Sequence, residues 1–245
     1  MKEHLPLIGR IIIGCSILIG AWKLAPTESL KTNDSMISVF SDITEKEKDT
    51  LYAENILSQL NIRENKYDGV TFRFLRISDI ELNPIAQIEL KSTSILLSNE
   101  ISRDKEIKKF EDSVMVLFEN SLSDSSGRKY SSIYLPIAKE LTLLSKSDSK
   151  SKMLIVHSDL MENTPSLSFY KFYKNYSYDN KELISRISKL YELPNLTGIN
   201  VYLIYQPDSV QADIYYKEVS RLYESLLVEK GAKVFIQANF LKTDM

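Results

Sequence analysis

Apolar positions recur along the chain in two rhythms, every second residue and every third to fourth, and the two alternate from residue 36 onward. Met36 to Ser41 is a short apolar run ending in polar residues, which reads as a buried strand entering a loop. Ala53, Ile56, Leu57 and Leu60 follow at helical spacing. Val70, Phe72 and Phe74 alternate within Gly69 to Ile77, and Ile85 to Leu90 follows Asn83-Pro84, so these runs predict two neighbouring antiparallel strands. Ile107, Phe110, Val114, Leu117 and Phe118 share one helical face between Glu106 and Leu122, and Ile133, Ile137, Leu141 and Leu144 mark a further helix from Ser132. Met153 to Val156, bracketed by polar residues, predicts a fully buried central strand. Asn200 to Tyr205 and Lys233 to Gln237 complete the strands. The helix between them, marked by Tyr215, Val219, Leu222 and Leu226, ends at Gly231, a natural left-handed residue for a helix C-terminus.

Strands that alternate with helices need crossovers, and right-handed crossovers on a parallel sheet build a three-layer, doubly wound, Rossmann-like α/β domain. The expected domain spans residues 36–245, with the hairpin at 69–90 supplying one antiparallel edge strand to a mostly parallel sheet. Ahead of it, residues 11–22 carry no charge, and Leu5 to Gly9 extend the apolar stretch towards a bilayer crossing. Residues 1–25 therefore read as an N-terminal transmembrane anchor or signal segment, and 26–35, polar and aperiodic, as a linker. Lys2 and Arg10 precede the apolar run, whereas Lys23 is followed by Glu28 and Asp34. That asymmetry favours a single pass through the inner membrane with the domain on the extracytoplasmic side. Two alternatives stand beside it: a lipoprotein anchored at Cys15, which follows small Gly14, and a buried helix of a soluble protein.

The overall charge of -2, from 31 basic against 33 acidic residues, gives no bulk attraction for nucleic acid, and no nucleic-acid partner is expected. Cys15 is the only cysteine, so neither an intrachain disulfide nor a thiolate metal cluster can form. No Gly-x-Gly-x-x-Gly and no Gly-x-x-x-x-Gly-Lys-Ser/Thr occurs, so a dinucleotide or P-loop site lacks the close backbone approach it needs.

In open α/β sheets ligands bind beyond the carboxyl ends of the strands. The residues to watch are Ser41-Asp42-Ile43-Thr44-Glu45-Lys46 after the first strand, His157-Ser158-Asp159 after the central one, and Gly127 to Ser132 before the helix at 133. In this order they resemble von Willebrand factor A domains, which end their first strand in Asp-x-Ser/Thr-x-Ser, add a Thr or Ser before a later helix and an Asp after the fourth strand. The resemblance covers residues 36–240. It implies a metal-ion-dependent adhesion site at Asp42, Thr44, Ser131 and Asp159 holding Mg²⁺ or Mn²⁺, with a carboxylate of a protein partner completing the metal shell. The run Met153 to Thr164 followed by Ser168-Phe169-Tyr170 also resembles bacterial envelope proteins of this class. The pattern is degenerate, because Lys46 stands where the third hydroxyl belongs. Either the ammonium neutralises Asp42 and replaces the metal, or Lys46 points outward and the four oxygen-bearing side chains hold a hydrated cation.

The expected function is accordingly a non-enzymatic protein-interaction module, attached to a bacterial membrane by its N-terminal helix. A metal-dependent phosphoester hydrolase using Asp42 or Asp159, and a structural component of an envelope or secretion assembly, are the alternatives. Plainer readings exist for each residue. Asp42 and Asp159 both suit helix N-caps. His157, Ser158 and Asp159 cannot form a triad by adjacency, since neighbouring strand positions face opposite ways. The aromatic stretch containing Tyr170, Tyr173 and Tyr176 is either a partner-binding lobe or a lid packed over the site. The charged runs Glu45 to Asp49 and Arg103 to Lys109 read as solvated helix faces.

Overall fold

A computed structural model of the chain describes residues 33–42, 53–77, 85–94, 98–121, 131–173 and 180–240. The anchor at 1–25, most of the linker, and Thr44 and Lys46 lie outside these residues. Among the described residues no helix is long and apolar enough to cross a membrane.

Six strands form one sheet: β1 (Ser35–Asp42), β2 (Val70–Ile77), β3 (Ile85–Leu90), β4 (Ser151–His157), β5 (Ile199–Ile204) and β6 (Lys233–Gln237). They lie in the order β3-β2-β1-β4-β5-β6. Every neighbouring pair is parallel except β2–β3, so the hairpin supplies an antiparallel edge as its alternating pattern predicts. The described helices are α1 (Ala53–Gln59), α2 (Glu100–Ser121), α3 (Tyr134–Lys146), α4 (Phe169–Tyr173), α5 (Asn180–Leu190) and α6 (Val210–Glu229).

Period-two alternation sorts each strand's side chains between two cores. Met36 and Phe40 of β1 and Leu154 and Val156 of β4 pack with α3, α5 and α6. Ile37, Val39, Met153 and Ile155 pack with α1 and α2. The central strands are thus covered on both faces, which is why β1 and β4 carry near-continuous apolar runs.

Both ends of α6 follow from single residues. Ser209 caps it by accepting the Ala212 N–H at 3.1 Å. At the other end Gly231, at φ +94°, donates to the Val228 carbonyl while Ala232 donates to that of Leu227, the paired bonds of a Schellman turn.

Three features depart from the sequence reading. Helix α2 starts at Glu100 rather than Glu106, because Asn99 Oδ1 accepts the N–H groups of Ile101 and Ser102 at 3.0 and 3.4 Å. Arg103 is not on a solvated face; its side chain is buried, and its guanidinium donates to the carbonyls of Lys66, Lys91 and Asp68. The remaining charges of that run, on Asp104, Lys105, Glu106, Lys108 and Lys109, are exposed. Helix α5 has no counterpart in the sequence reading, although Leu183 and Ile187 reach the core.

Candidate functional site

Asp42 closes β1 at its carboxyl end. From β1 the chain builds towards β2 and β3, and from β4 towards β5 and β6, so the β1/β4 boundary is the point where strand order reverses. Ser41 pairs with His157 across that boundary, which puts Ser158 level with Asp42. The Ser158 hydroxyl donates to Asp42 Oδ2 at 3.0 Å, and the Ser131 hydroxyl donates to the same oxygen at 3.5 Å. Three segments separated by 89 and 116 residues therefore meet on one carboxylate. All three side chains are buried.

The segments are fixed by their own backbones. Ser131 and Asn163 exchange two backbone hydrogen bonds of 2.9 and 2.8 Å, tying the start of α3 to the loop after β4. Within that loop Ser158 Oγ accepts the Leu160 N–H at 3.0 Å, and Asp159 Oδ1 accepts the Met161 N–H at 2.8 Å. Leu160 adopts φ 62°, an uncommon conformation for a branched side chain that costs on the order of 1 kcal/mol. Its side chain is fully buried, and burial of a leucine, about 1.5–3 kcal/mol, offsets that strain.

Glu162 completes the block. The residue is 1% exposed, and its Oε2 accepts the N–H groups of Ile133 and Tyr134 at 2.8 and 2.9 Å, where α3 leaves its first donors without helical partners. Burial raises its pKa above the usual glutamate value. The N–H donors of Tyr134 and Ile133 and the Ser132 side chain oppose that shift without cancelling it.

The sequence-predicted residues divide as follows. Asp42 and Ser131 meet. Asp159 lies one residue beyond Ser158 on the same rim, half-buried, with its second oxygen accepting the Tyr170 hydroxyl at 3.2 Å. No helix begins at Asp159, so it braces a turn instead of capping a helix. Tyr170 is 46% exposed and Tyr173 ends α4, while Thr44, Lys46 and Tyr176 are outside the described residues. His157 continues the row of Met153 and Ile155 towards α1 and α2, whereas Asp42 follows Phe40 on the other face. Sequence reasoning missed Ser158 as a partner of Asp42 and Glu162 as the cap of α3. Parity signals the first: Ser158 extends the Leu154 and Val156 row, as Asp42 extends that of Phe40.

Asp42, Ser131 and Ser158 offer one carboxylate and two hydroxyls, an all-oxygen set that suits a hard cation retaining most of its waters. Among the described residues no group of three or more His, Cys, Asp or Glu side chains is placed to hold a metal ion. Surface clefts elsewhere, one involving Asn33, Asp68 and Lys150, open at the opposite end of the sheet. There the polar groups tie chain segments together: Asp68 accepts the Asn33 N–H and Lys150 donates to the Asn33 side chain.

No known family model matches the sequence, and no curated protein is detectably similar to it.

Proposed function

We propose that this chain is a non-enzymatic interaction module of the von Willebrand factor A type, which takes an acidic group of a protein partner at the carboxyl-end rim through a hydrated Mg²⁺ or Mn²⁺. The observation that carries the reading is the convergence of Ser131 and Ser158 on Asp42 at the point where strand order reverses. A sheet with a single antiparallel edge beside β2, and a serine delivered from just before a helix, also agree with that family's pattern. In this reading Asp42 supplies the charge, and Ser131 and Ser158 supply neutral oxygens. The ion acts as a Lewis acid that a partner carboxylate can join. Residues 1–25 attach the module to the inner membrane with the domain extracytoplasmic, or Cys15 carries a lipid that does so.

Asp42→Asn tests the site with little change in volume. Titration of the full chain with Mn²⁺ is expected to give saturable heat in the native protein and at least tenfold weaker binding in the variant, since about 1.4 kcal/mol of charge interaction is a factor of ten. Capture of a protein partner from membranes is expected to be lost on adding chelator. Absence of heat together with chelator-insensitive capture would remove the cation from the proposal. Mn²⁺-dependent turnover of phosphate esters that vanishes in Asp42→Asn would move the chain to the hydrolase class.

A further inference from the structure

The sheet ends on one side at β6, and among the described residues no strand pairs with its outer edge. Gln237 turns its carbonyl inward, where it accepts the Tyr205 N–H at 3.2 Å. Backbone groups alternate in direction along a strand, so Val234 and Ile236 aim their N–H and C=O groups outward. A row of such groups is a template for a further strand. The side chains alternate as well. Phe235 stacks on Tyr202 at 4.8 Å on one face, and Val234 packs against the α6 core on the other. Val234, Phe235 and Ile236 carry no charge, and Ile236 is 38% exposed. The opposite edge differs, because β3 exposes Gln87 and Glu89, and a charge within an edge strand discourages strand addition.

We propose that β6 is a homodimer interface: two copies of this chain pair their β6 strands antiparallel about a two-fold axis at Phe235, joining two six-stranded sheets into one. The sequence of the strand selects a second copy as the occupant. In this register Val234 stands opposite the partner's Ile236, apolar against apolar. These are the residues whose backbone groups point outward, so each such pair exchanges two hydrogen bonds. Phe235 stands opposite the partner's Phe235 at the closely spaced, non-hydrogen-bonded position. Lys233 stands opposite the partner's Gln237, whose side-chain oxygen is enclosed and meets no donor within its own chain. The ammonium brings a donor to that position, and no like charges face each other. A two-fold contact closes at two chains, so it uses up this edge without starting a fibre. The strand is only five residues long, which makes the dimer a weak, concentration-dependent one. The inference is independent of what the rim binds.

Sedimentation equilibrium of the full chain in density-matched detergent tests the interface. The mass is expected to rise with concentration from one chain towards two. Ile236→Pro removes an outward N–H and leaves those directed at β5, a change that edge strands tolerate. It is expected to weaken the dimer at least about tenfold, as two lost hydrogen bonds per dimer imply, with urea unfolding used to verify the fold. Register is tested separately in chains carrying Cys15→Ser. Val234→Cys mixed with Ile236→Cys is expected to form an intermolecular disulfide under mild oxidation, because these positions are directly opposed. Neither variant alone is expected to do so, since like positions lie about 7 Å or more apart. A single-chain mass at every concentration up to about 1 mM overturns the proposal. So does undiminished dimerisation of folded Ile236→Pro. Disulfide formation as fast in either variant alone as in the mixture overturns it too, and decides the matter if Ile236→Pro does not fold.

Discussion

Glu162 shows how a charge can be placed in a core without a countercharge among the groups that set its pKa. One carboxylate oxygen takes two N–H donors from the first turn of α3, and the helix dipole adds to the attraction. Burial nevertheless dominates and raises the pKa, so the folded protein holds the Glu162 proton more firmly than the unfolded chain does. The contribution of this group to stability is therefore fully present below the ordinary glutamate pKa and declines as pH rises through the folded value. Glu162→Ala leaves two buried N–H groups without an acceptor and is expected to cost about 2–4 kcal/mol in urea unfolding at pH 7. Glu162→Gln keeps an acceptor and discards the charge. Its deficit relative to the native chain is expected to be largest below the ordinary glutamate pKa and to shrink towards neutrality. A deficit that grows with pH would mean that the carboxylate's hydrogen bonds, not its burial, dominate.

The C-terminus of α6 was legible because glycine is the residue that tolerates the required backbone. Gly231 has φ +94°, and a Cβ there would meet Thr197 Oγ1 at 2.7 Å, an atom already committed to Asn195 Oδ1. Gly231→Ala is expected to lower stability by about 1–3 kcal/mol, combining the backbone penalty with displacement of Thr197; an unchanged urea midpoint would contradict this. The same kind of local signal gave the strands. Alternation marked β2, the run after Asn83-Pro84 marked β3, and an uninterrupted apolar run marked β4 as central. What was not legible depends on contacts between distant segments. Helix α5 follows an aromatic stretch that masks its start, and among its described side chains only Leu183 and Ile187 are buried. Arg73 and Glu140, far apart in the sequence, form a buried pair at 2.6 Å, joined by Ser38, which pairs with Arg73 across β1 and β2. In the candidate site Asp42 and Ser131 were readable from their places beside strand and helix. Ser158 was hidden because its role depends on the β1–β4 register, which no single segment encodes.

The two ends of the sheet are built differently. At about 3.3 Å per residue, the eight residues of β1 set them roughly 25 Å apart. The chain enters at Asn33, at the end opposite the rim that carries Asp42, and that entry end is bolted together. Asp34 accepts the Gly69 N–H with its side chain and the Lys150 N–H with its carbonyl. Arg103, 2% exposed, donates from α2 to carbonyls on both sides of the β2–β3 hairpin, at Lys66, Asp68 and Lys91, with Glu106 as its ionic partner. The rim instead carries the hydroxyls of Ser131 and Ser158 and the carboxylates of Asp42 and Asp159. Such a division predicts that fold stability and, on the proposed reading, cation binding at the rim separate. Arg103→Met preserves the aliphatic length and removes every donor, leaving three carbonyls to find water. Charge-assisted bonds are worth about 1.5–3 kcal/mol each and do not simply add, so a loss of about 3–5 kcal/mol is expected in urea unfolding. Mn²⁺ affinity, measured well below the new midpoint, is expected to stay within about twofold of the native value, because distant sites with no shared partners act independently. A parallel fall in affinity would show that the bolted end sets the geometry of the rim across the length of the sheet.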